Sequence, residues 1–152
     1  MKNKIIFLLL AILPFLGGCN NTEDLKGLIV GKTWRLDCFY YKNGNVILDR
    51  YPTANEILEK NPNGFYLKFN ENNTFTGQAI NSSFSGTWTG NSSTNDFSMT
   101  ITQIAGSDDS LVIASDFVKA VSGAYSYKAD ENILIIHYNY SGRNEYMSFR
   151  IK

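Results

Sequence analysis

The sequence predicts a mainly β fold, namely a small, partly open antiparallel β-barrel with one short packed helix and a second helical turn in an insertion. The segment 64–88, GFYLKFNENNTFTGQAINSSFSGTW, alternates apolar and polar residues in three short runs. This is the period of two expected of strands that bury one face. Asparagine-rich turns separate the runs, because asparagine tolerates left-handed backbone angles. Gly77 and Gly86 lie inside two of the runs, where glycine permits the bends and bulges by which a sheet curls into a barrel.

Further strands extend this meander on both sides. The segment 31–34 opens a first strand, and Asn43-Gly44 turns it, because this dipeptide is a strong hairpin signal. The partner of that strand is predicted at 46–48. Four more strands are predicted at 97–101, 124–128, 133–140 and 145–151.

Two short helices are predicted between the strands. The first covers 54–60, because Thr53 followed three residues later by glutamate matches a capping box. The second covers 116–122, where apolar residues are spaced for one helix face. Ser115 is its predicted N-cap, and Gly123 lies just beyond its end.

Residues 1–19 have the order of a lipoprotein export signal. Lys2 and Lys4 precede an apolar run over 5–16, and Gly17-Gly18-Cys19 follows it. That is the arrangement of a secretory signal, and small residues directly before a cysteine indicate a bacterial lipobox. The run is too short to span a bilayer, which takes about 20 residues. We therefore expect acylation of Cys19, and the alternative is an ordinary signal peptide in which the cysteine is coincidental.

These boundaries give 1–18 as the signal peptide, 19–27 as the lipidated cysteine and a polar tether, and 28–152 as the barrel domain. Acyl chains on Cys19 are the expected link to the membrane, since each buried methylene contributes about 0.8 kcal/mol. The expected location is the cell envelope, with the anchor in the outer membrane. Glu23-Asp24 is similar to acidic signals that send some Bacteroidota lipoproteins to the cell surface, and the sequence leaves the leaflet open.

The charge of the mature chain argues against one class of partner. Loss of residues 1–18 removes two of the fourteen basic residues and none of the fourteen acidic ones, which leaves a net charge of −2. Nucleic-acid binding depends on a basic surface that neutralises phosphates. We therefore expect no nucleic-acid partner.

Few residues suit catalysis or metal binding. His137 is the only histidine, which excludes a histidine metal cluster and favours a structural role. Asp108-Asp109 is an acid pair in a loop and is expected to be solvated, unlike the paired carboxylates of a glycosidase. Cys38 shares a predicted strand face with Trp34, Leu36 and Tyr40, which indicates a buried small hydrophobe. We expect no catalytic residue, no metal, no cofactor and no enzymatic activity.

The nine tyrosines indicate a surface for contact, because tyrosine supplies rigid amphipathic area at binding sites. Tyr40, Tyr66, Tyr138 and Tyr140 are the candidate binding surface. The alternative is that strands favour aromatic residues for local reasons. Asp109-Ser110-Leu111 fits the short O-glycosylation pattern of Bacteroidota envelope proteins, which makes Ser110 a candidate modification site.

Three segments, GQAINSSFSGTW, SDFVKAVSGAYSY and NILIIHYNYSGRNEYMSFRI, resemble the META-domain (HslJ-like) family of small envelope lipoproteins over 28–152. The motif residues of that family stand at Gly77, Asn81, Phe84, Gly86 and Trp88. Ile80 replaces one family cysteine, and the second, expected near 104–106, is also missing, so the disulfide that the family implies is absent. Lipocalin-like lipoproteins of the same bacteria are also similar, since they share the opening at 31–34 and the strand at 86–88.

The resemblance implies a barrel with one helix, an association with envelope stress and no agreed catalytic residues. Together with the anchor, it predicts a non-enzymatic binding module that contacts an unknown envelope protein or glycan. The alternative is a carrier of a small apolar ligand, since about eight strands leave room for side chains or for one ligand. The residues that decide between them are predicted to point inward: Phe65, Leu67, Phe69, Phe75, Phe84 and Trp88. If they converge, they fill the interior.

Overall fold

A computed structural model of the chain describes residues 21–152 and shows one β-barrel with three helices. The strands are β1 (Thr33–Tyr41), β2 (Tyr66–Phe69), β3 (Thr74–Gln78), β4 (Ser83–Asn91), β5 (Asp96–Ala105), β6 (Ala124–Ala129), β7 (Ile133–Tyr140) and β8 (Arg143–Ile151). The helices are α1 (Asn21–Ile29), α2 (Ala54–Lys60) and α3 (Val112–Ser122).

The eight strands form a closed antiparallel ring in which each strand pairs with its neighbours in sequence and β8 pairs back with β1. This confirms the predicted antiparallel barrel. The ring is closed all round. Its shortest ladder among the described strands joins β5 and β6 through the single pair Asp96 and Ser126. Closure removes the free strand edges that an open sheet would expose to other chains.

Large side chains fill the barrel. The six residues predicted to point inward are all 3% exposed or less. Their rings pack edge to face, with centroids 5.6 Å apart for Phe69 and Trp88, and 6.3 Å apart for Phe75 and Phe84. Phe117 of α3 enters from one end, 5.7 Å from the Phe65 ring and 5.9 Å from the Phe84 ring. The predicted convergence of the inward residues is therefore confirmed.

Helix α1 covers the end of the barrel where β1 begins. Leu25 and Ile29, one helical turn apart, are fully buried, and the Trp34 indole Nε1 donates a hydrogen bond to the Ile29 carbonyl over 2.9 Å. The prediction that 19–27 is a tether is therefore wrong from Asn21 onward, because these two apolar residues hold a polar helix on the barrel. The folded domain begins before residue 28. No helix within residues 21–152 is long and apolar enough to cross a membrane.

Helix α3 covers the opposite end and begins four residues earlier than predicted. Ile113, Phe117 and Val121 lie one turn apart and are buried, so the apolar stripe that stabilises the helix starts before Ser115. Ser115 therefore lies inside the helix and is not its N-cap, which is Leu111.

The segment between β1 and β2 also differs in part from its prediction. Helix α2 is confirmed at Ala54–Lys60, although Thr53 makes no side-chain capping hydrogen bond. The predicted strand at 46–48 is reduced to an isolated bridge between Tyr40 and Val46. Ile47 instead turns into the barrel end and is buried.

A bulge in β1 changes which residues face the core. The register with β8 shifts between Leu36 and Cys38, so Phe39 points inward and Tyr40 points outward. The bulge leaves Cys38 on the face of Tyr40, as predicted, but Trp34 and Leu36 lie on the opposite face, so the prediction that all four residues share one face is wrong. Cys38 is nevertheless a free, buried thiol, 8% exposed, and burial raises its pKa. Its predicted role as a small buried hydrophobe is confirmed.

The two predicted strand glycines lie where the backbone has no room for a side chain. A Cβ at Gly77 would lie 2.3 Å from the Phe84 ring, and a Cβ at Gly86 would lie 1.9 Å from the Thr100 carbonyl oxygen. The β4–β5 register shifts between Ser85 and Gly86, which places a bulge on β5 opposite the second glycine. Gly86 therefore permits close approach of two strands where the barrel bends.

Gly86→Ala is expected to destabilise the barrel by about 3 kcal/mol, because the added methyl group meets backbone that cannot move aside. The matched control is Gly27→Ala in α1, where a Cβ would meet nothing within 4 Å. This control is expected to raise stability by up to about 1 kcal/mol through helix propensity. Urea denaturation followed by tryptophan fluorescence measures both. Equal free energies of unfolding for the two variants would contradict the bulge assignment.

Candidate functional site

A buried ionic cluster lies at the barrel end covered by α3. Glu145 of β8 is fully buried, and its carboxylate accepts two hydrogen bonds from the Arg50 guanidinium, over 2.7 and 2.9 Å. Tyr138, the register partner of Glu145 on β7, donates its hydroxyl to the same carboxylate over 2.9 Å. The carboxylate is therefore paired and hydrogen-bonded, as a buried charge requires.

The second half of the cluster is built on Asp116 of α3. Its carboxylate accepts hydrogen bonds from the hydroxyls of Tyr51, over 2.9 Å, and Tyr140, over 3.1 Å. The Arg50 guanidinium lies 4.5 Å from the Tyr140 ring centroid, within cation–π range. Arg50 and Tyr51 thus join both halves, and the cluster fastens the loop before α2 and helix α3 to the end of the barrel.

The electrostatics of this cluster favour a structural role. Burial raises the pKa of Tyr138, and the Glu145 carboxylate acts in the same direction. Burial likewise raises the pKa of Tyr51, and the hydrogen bonds to Glu145 raise that of Arg50. The phenols therefore remain protonated donors and the guanidinium remains charged.

The four tyrosines of the predicted binding surface lie in three places. Tyr138 and Tyr140 meet in the ionic cluster, where Tyr138 is fully buried and so presents no contact surface. Tyr40 lies on the outer wall, its ring stacked 4.9 Å from that of Tyr146 with an interplanar angle of 10°. Tyr66 lies on the outer face of β2, on a different part of the wall. The four tyrosines therefore do not form one continuous surface.

Tyr66 lines an open, mainly polar cleft of about 800 Å³ on the wall formed by β1, β2 and β3. It is bounded by Lys68, Gln78, Lys152 and the loop 60–64, which includes Lys60. We call this cleft the lysine groove. Its residues come from distant parts of the chain, because the Lys152 amide donates to the Thr33 carbonyl over 2.9 Å and the Lys152 ammonium donates to Asn63 Oδ1 over 2.9 Å.

The loop beside the lysine groove is held close to the barrel. The Gly64 amide donates to the Asn61 carbonyl over 3.0 Å, and a Cβ at Gly64 would lie 2.6 Å from the Ala79 carbonyl oxygen. The next residue, Phe65, has φ of 55°, which is costly for a large side chain. The conformation is held because the Phe65 ring is fully buried.

An aromatic row crosses the outer wall on the other side of β1. Beyond Tyr40 and Tyr146, the His137 ring lies 5.4 Å from Tyr146 and 6.2 Å from Tyr125. Burial lowers the pKa of His137, and the Lys128 charge adds to this effect. His137 therefore packs as a neutral ring between two tyrosines.

Asp108 is a buried anchor for the turn before β4, which corrects the expectation that the acid pair is solvated. It is 4% exposed. Its carboxylate accepts hydrogen bonds from the amides of Ile80, Asn81 and Ser82 over 3.3, 2.8 and 2.9 Å, and from the Ser82 hydroxyl over 2.5 Å. Burial tends to raise the pKa of Asp108, but these bonds outweigh it and the net pKa is lowered.

The remaining predicted residues divide as follows. Phe84 and Trp88 belong to the core. Gly77 and Gly86 lie at close contacts between strands, and the Asn81 amide donates to the Asp108 carboxylate. Ser110 is exposed at a turn in which the Leu111 amide donates to the Asp108 carbonyl over 2.9 Å, so its hydroxyl is accessible. Cys19 lies outside the described residues.

Sequence reasoning missed the ionic cluster and the lysine groove. Glu145 carried a usable signal, because it falls in phase with the inward residues Met147 and Phe149 of β8. A charged residue in that phase predicts a buried partner. Arg50 and Asp116 carried no comparable signal, since each finds its partner through contacts distant in sequence.

Comparison with known proteins identifies the family. Residues 20–151 match the family model described as a domain of unknown function, DUF4847. The chain belongs to the DUF4847 family. A crystal structure of a DUF4847 family protein from Bacteroides vulgatus ATCC 8482, at 1.00 Å resolution, is similar with a TM-score of 0.64 and 22% identity. The match covers 83% of this chain and 96% of that one, and at this identity it shows the fold alone. A search of curated proteins gave no match.

Asp108→Asn is expected to destabilise this DUF4847 domain by roughly 1–3 kcal/mol at pH 7, because an amide cannot accept all the hydrogen bonds that the carboxylate does. The pKa of Asp108 is lower in the folded domain than in the unfolded chain, where it is about 3.9. Asp108 therefore stabilises the domain fully at pH values above that unfolded pKa. That stability is lost as pH falls through the lower folded value. The difference between wild type and variant should therefore shrink below about pH 4.

The control for this prediction is Asp109→Asn. Asp109 is exposed and makes hydrogen bonds only with nearby Ser107. The free energy of unfolding of this variant should therefore differ from that of wild type by less than about 0.5 kcal/mol at any pH. Urea denaturation at pH 7 and pH 3 measures both. A difference for Asp108→Asn that stays constant with pH would rule out the carboxylate as the anchor.

Proposed function

We propose that this DUF4847 protein is a lipid-anchored, non-enzymatic binding module of the bacterial cell envelope. The observation that carries this proposal is the filled barrel, in which all six inward residues are 3% exposed or less. Because interior space is occupied by side chains packed as in other protein cores, a ligand or partner would meet the outer wall or a barrel end. This favours binding by contact over the alternative of an apolar ligand carried inside.

The position of α1 supports an anchor at Cys19. The helix begins at Asn21, two residues after the proposed acylated cysteine, and two residues span at most about 7 Å. The barrel end covered by α1 would therefore face the membrane. The ionic cluster lies at the far end of β1, where Tyr41 pairs with Glu145, and would point away from it.

Several finer features belong to the same proposal. The motif residues shared with META-domain lipoproteins support a link to envelope stress, and Glu23-Asp24 supports display at the outer membrane surface. The exposed position of Ser110 supports O-glycosylation there. The protein would act without a cofactor and without nucleic acid.

Cys19→Ala is expected to abolish incorporation of radiolabelled palmitate and to move the protein from the membrane fraction to the periplasmic fraction. The physical reason is the loss of the acyl chains that would hold the chain in the bilayer. Fractionation with immunoblotting measures the change, and Cys38→Ala is the control that should leave both properties unchanged. Palmitate incorporation that persists in Cys19→Ala would contradict the anchor.

Contact through the exterior can be tested by placing a photo-crosslinking amino acid at outward positions around the barrel, such as Tyr66, Ile104, Val112 and Tyr125. We expect at least one position to give a discrete adduct with an envelope protein or glycan in intact cells. The adduct should be lost in the Cys19→Ala background, because release from the membrane separates the partners. Absence of an adduct at every position would contradict the proposal.

A further inference from the structure

We propose that the lysine groove binds an anionic saccharide, that is, a sugar ring bearing a carboxylate or a phosphate. The inference rests on the proposed function in one respect, namely that the barrel binds at its exterior. The volume of the groove, about 800 Å³, lies in the range of small-ligand clefts, roughly 300–1,000 Å³. Its mainly polar lining argues against an apolar ligand.

The charge of the groove selects an anion. Lys60, Lys68 and Lys152 line it, and no acidic residue does. The Lys60 ammonium lies 3.9 Å from Glu56, and in the part of the chain that is described no side-chain carboxylate lies within 4 Å of the Lys68 or Lys152 ammonium. Clustered like charges in a cleft raise the local concentration of a ligand of opposite sign. The excess of positive charge is a local property of the groove, because the mature chain as a whole has a slight net negative charge.

The side chains that line the groove suit a sugar. Tyr66 offers a half-buried ring with a polar tip, against which the apolar face of a pyranose can pack. Asn61, Asn63 and Gln78 line the same space, and their amides supply the donors and acceptors that match vicinal hydroxyls. An apolar ligand would cover the amide donors and acceptors that still face water and would give them no hydrogen bonds in return.

The polar side chains are already oriented without a ligand. Asn61 Nδ2 donates to the Ile57 carbonyl over 2.8 Å, and Gln78 Nε2 donates to the Ile80 carbonyl over 3.2 Å. Lys152 Nζ donates to Asn63 Oδ1 over 2.9 Å. Side chains fixed in this way lose little conformational entropy on binding.

The backbone behind Tyr66 is also fixed. Phe65 holds a left-handed φ of 55° with its amide bonded to the Ala79 carbonyl, over 3.3 Å, and its carbonyl bonded to the Leu36 amide, over 2.8 Å. This conformation sends the Phe65 ring into the core and leaves Tyr66 on the outer wall. Strain that the surrounding structure maintains is typical of functional sites.

The test is a titration of the isotope-labelled protein with trigalacturonate, mannose 6-phosphate and neutral maltotriose, followed by amide chemical shifts. We expect at least one anionic probe to shift amides of 60–68 and of Gln78 with a Kd at least tenfold lower than that of maltotriose. The stronger of the two anionic probes identifies carboxylate or phosphate as the recognised group.

Three variants locate the site. The double variant Lys60→Gln with Lys68→Gln changes only exposed side chains and is expected to weaken the stronger anionic probe at least tenfold, as is Tyr66→Leu. Lys128→Gln, an exposed lysine of β6, is the matched control and should bind as wild type does. Circular dichroism confirms folding, and the lysine pair keeps the test decisive if Tyr66→Leu unfolds.

The inference is overturned if neither anionic probe binds at millimolar concentration, if the shifts lie outside the groove, or if the lysine variant binds as wild type does. Any of these results would leave the proposed binding module intact, because crosslinking from other walls of the barrel tests that function separately.

Discussion

Packing of large aromatic side chains inside a closed ring is the constraint on which the rest of this structure depends. Burying each such side chain contributes about 1.5–3 kcal/mol, and the rings interlock edge to face. Eight strands alone leave both ends of that core open to water. Helix α1 closes one end with Leu25 and Ile29, and α3 closes the other with Phe117. The helices are therefore parts of the core.

The same packing fixes what the outside of the barrel presents. The buried Phe65 ring forces a left-handed backbone, which places Tyr66 on the outer wall beside the lysine groove. At the far end, Glu145 takes an inward position, and Arg50, bound to it, draws the loop before α2 over the barrel. Core packing thus determines both the lysine groove on the wall and the ionic cluster at the end of the barrel.

Local patterns in the sequence predicted the β elements well, because alternation and turn residues act over a few neighbours. The strands around 64–88 and helix α2 are examples. Contacts distant in sequence were beyond such patterns. Helix α1 is polar apart from a short apolar stripe, the bulge at 37 inverts the face of Phe39, and Asp108 binds amides 26 to 28 residues away. The lysine groove brings together residues from Thr33 to Lys152, so it exists only in the folded chain.

A barrel that is filled by side chains and binds only at its exterior should co-purify with no apolar molecule inside it. Native mass spectrometry of the Cys19→Ala protein, isolated from the periplasm under gentle conditions, tests that claim without interference from the anchor. The packed interior predicts the same mass in native and in denaturing spectra, because no noncovalent molecule is bound inside the barrel. A stoichiometric apolar molecule that leaves only on collisional activation would contradict it, since no such molecule fits among the aromatic side chains of the core.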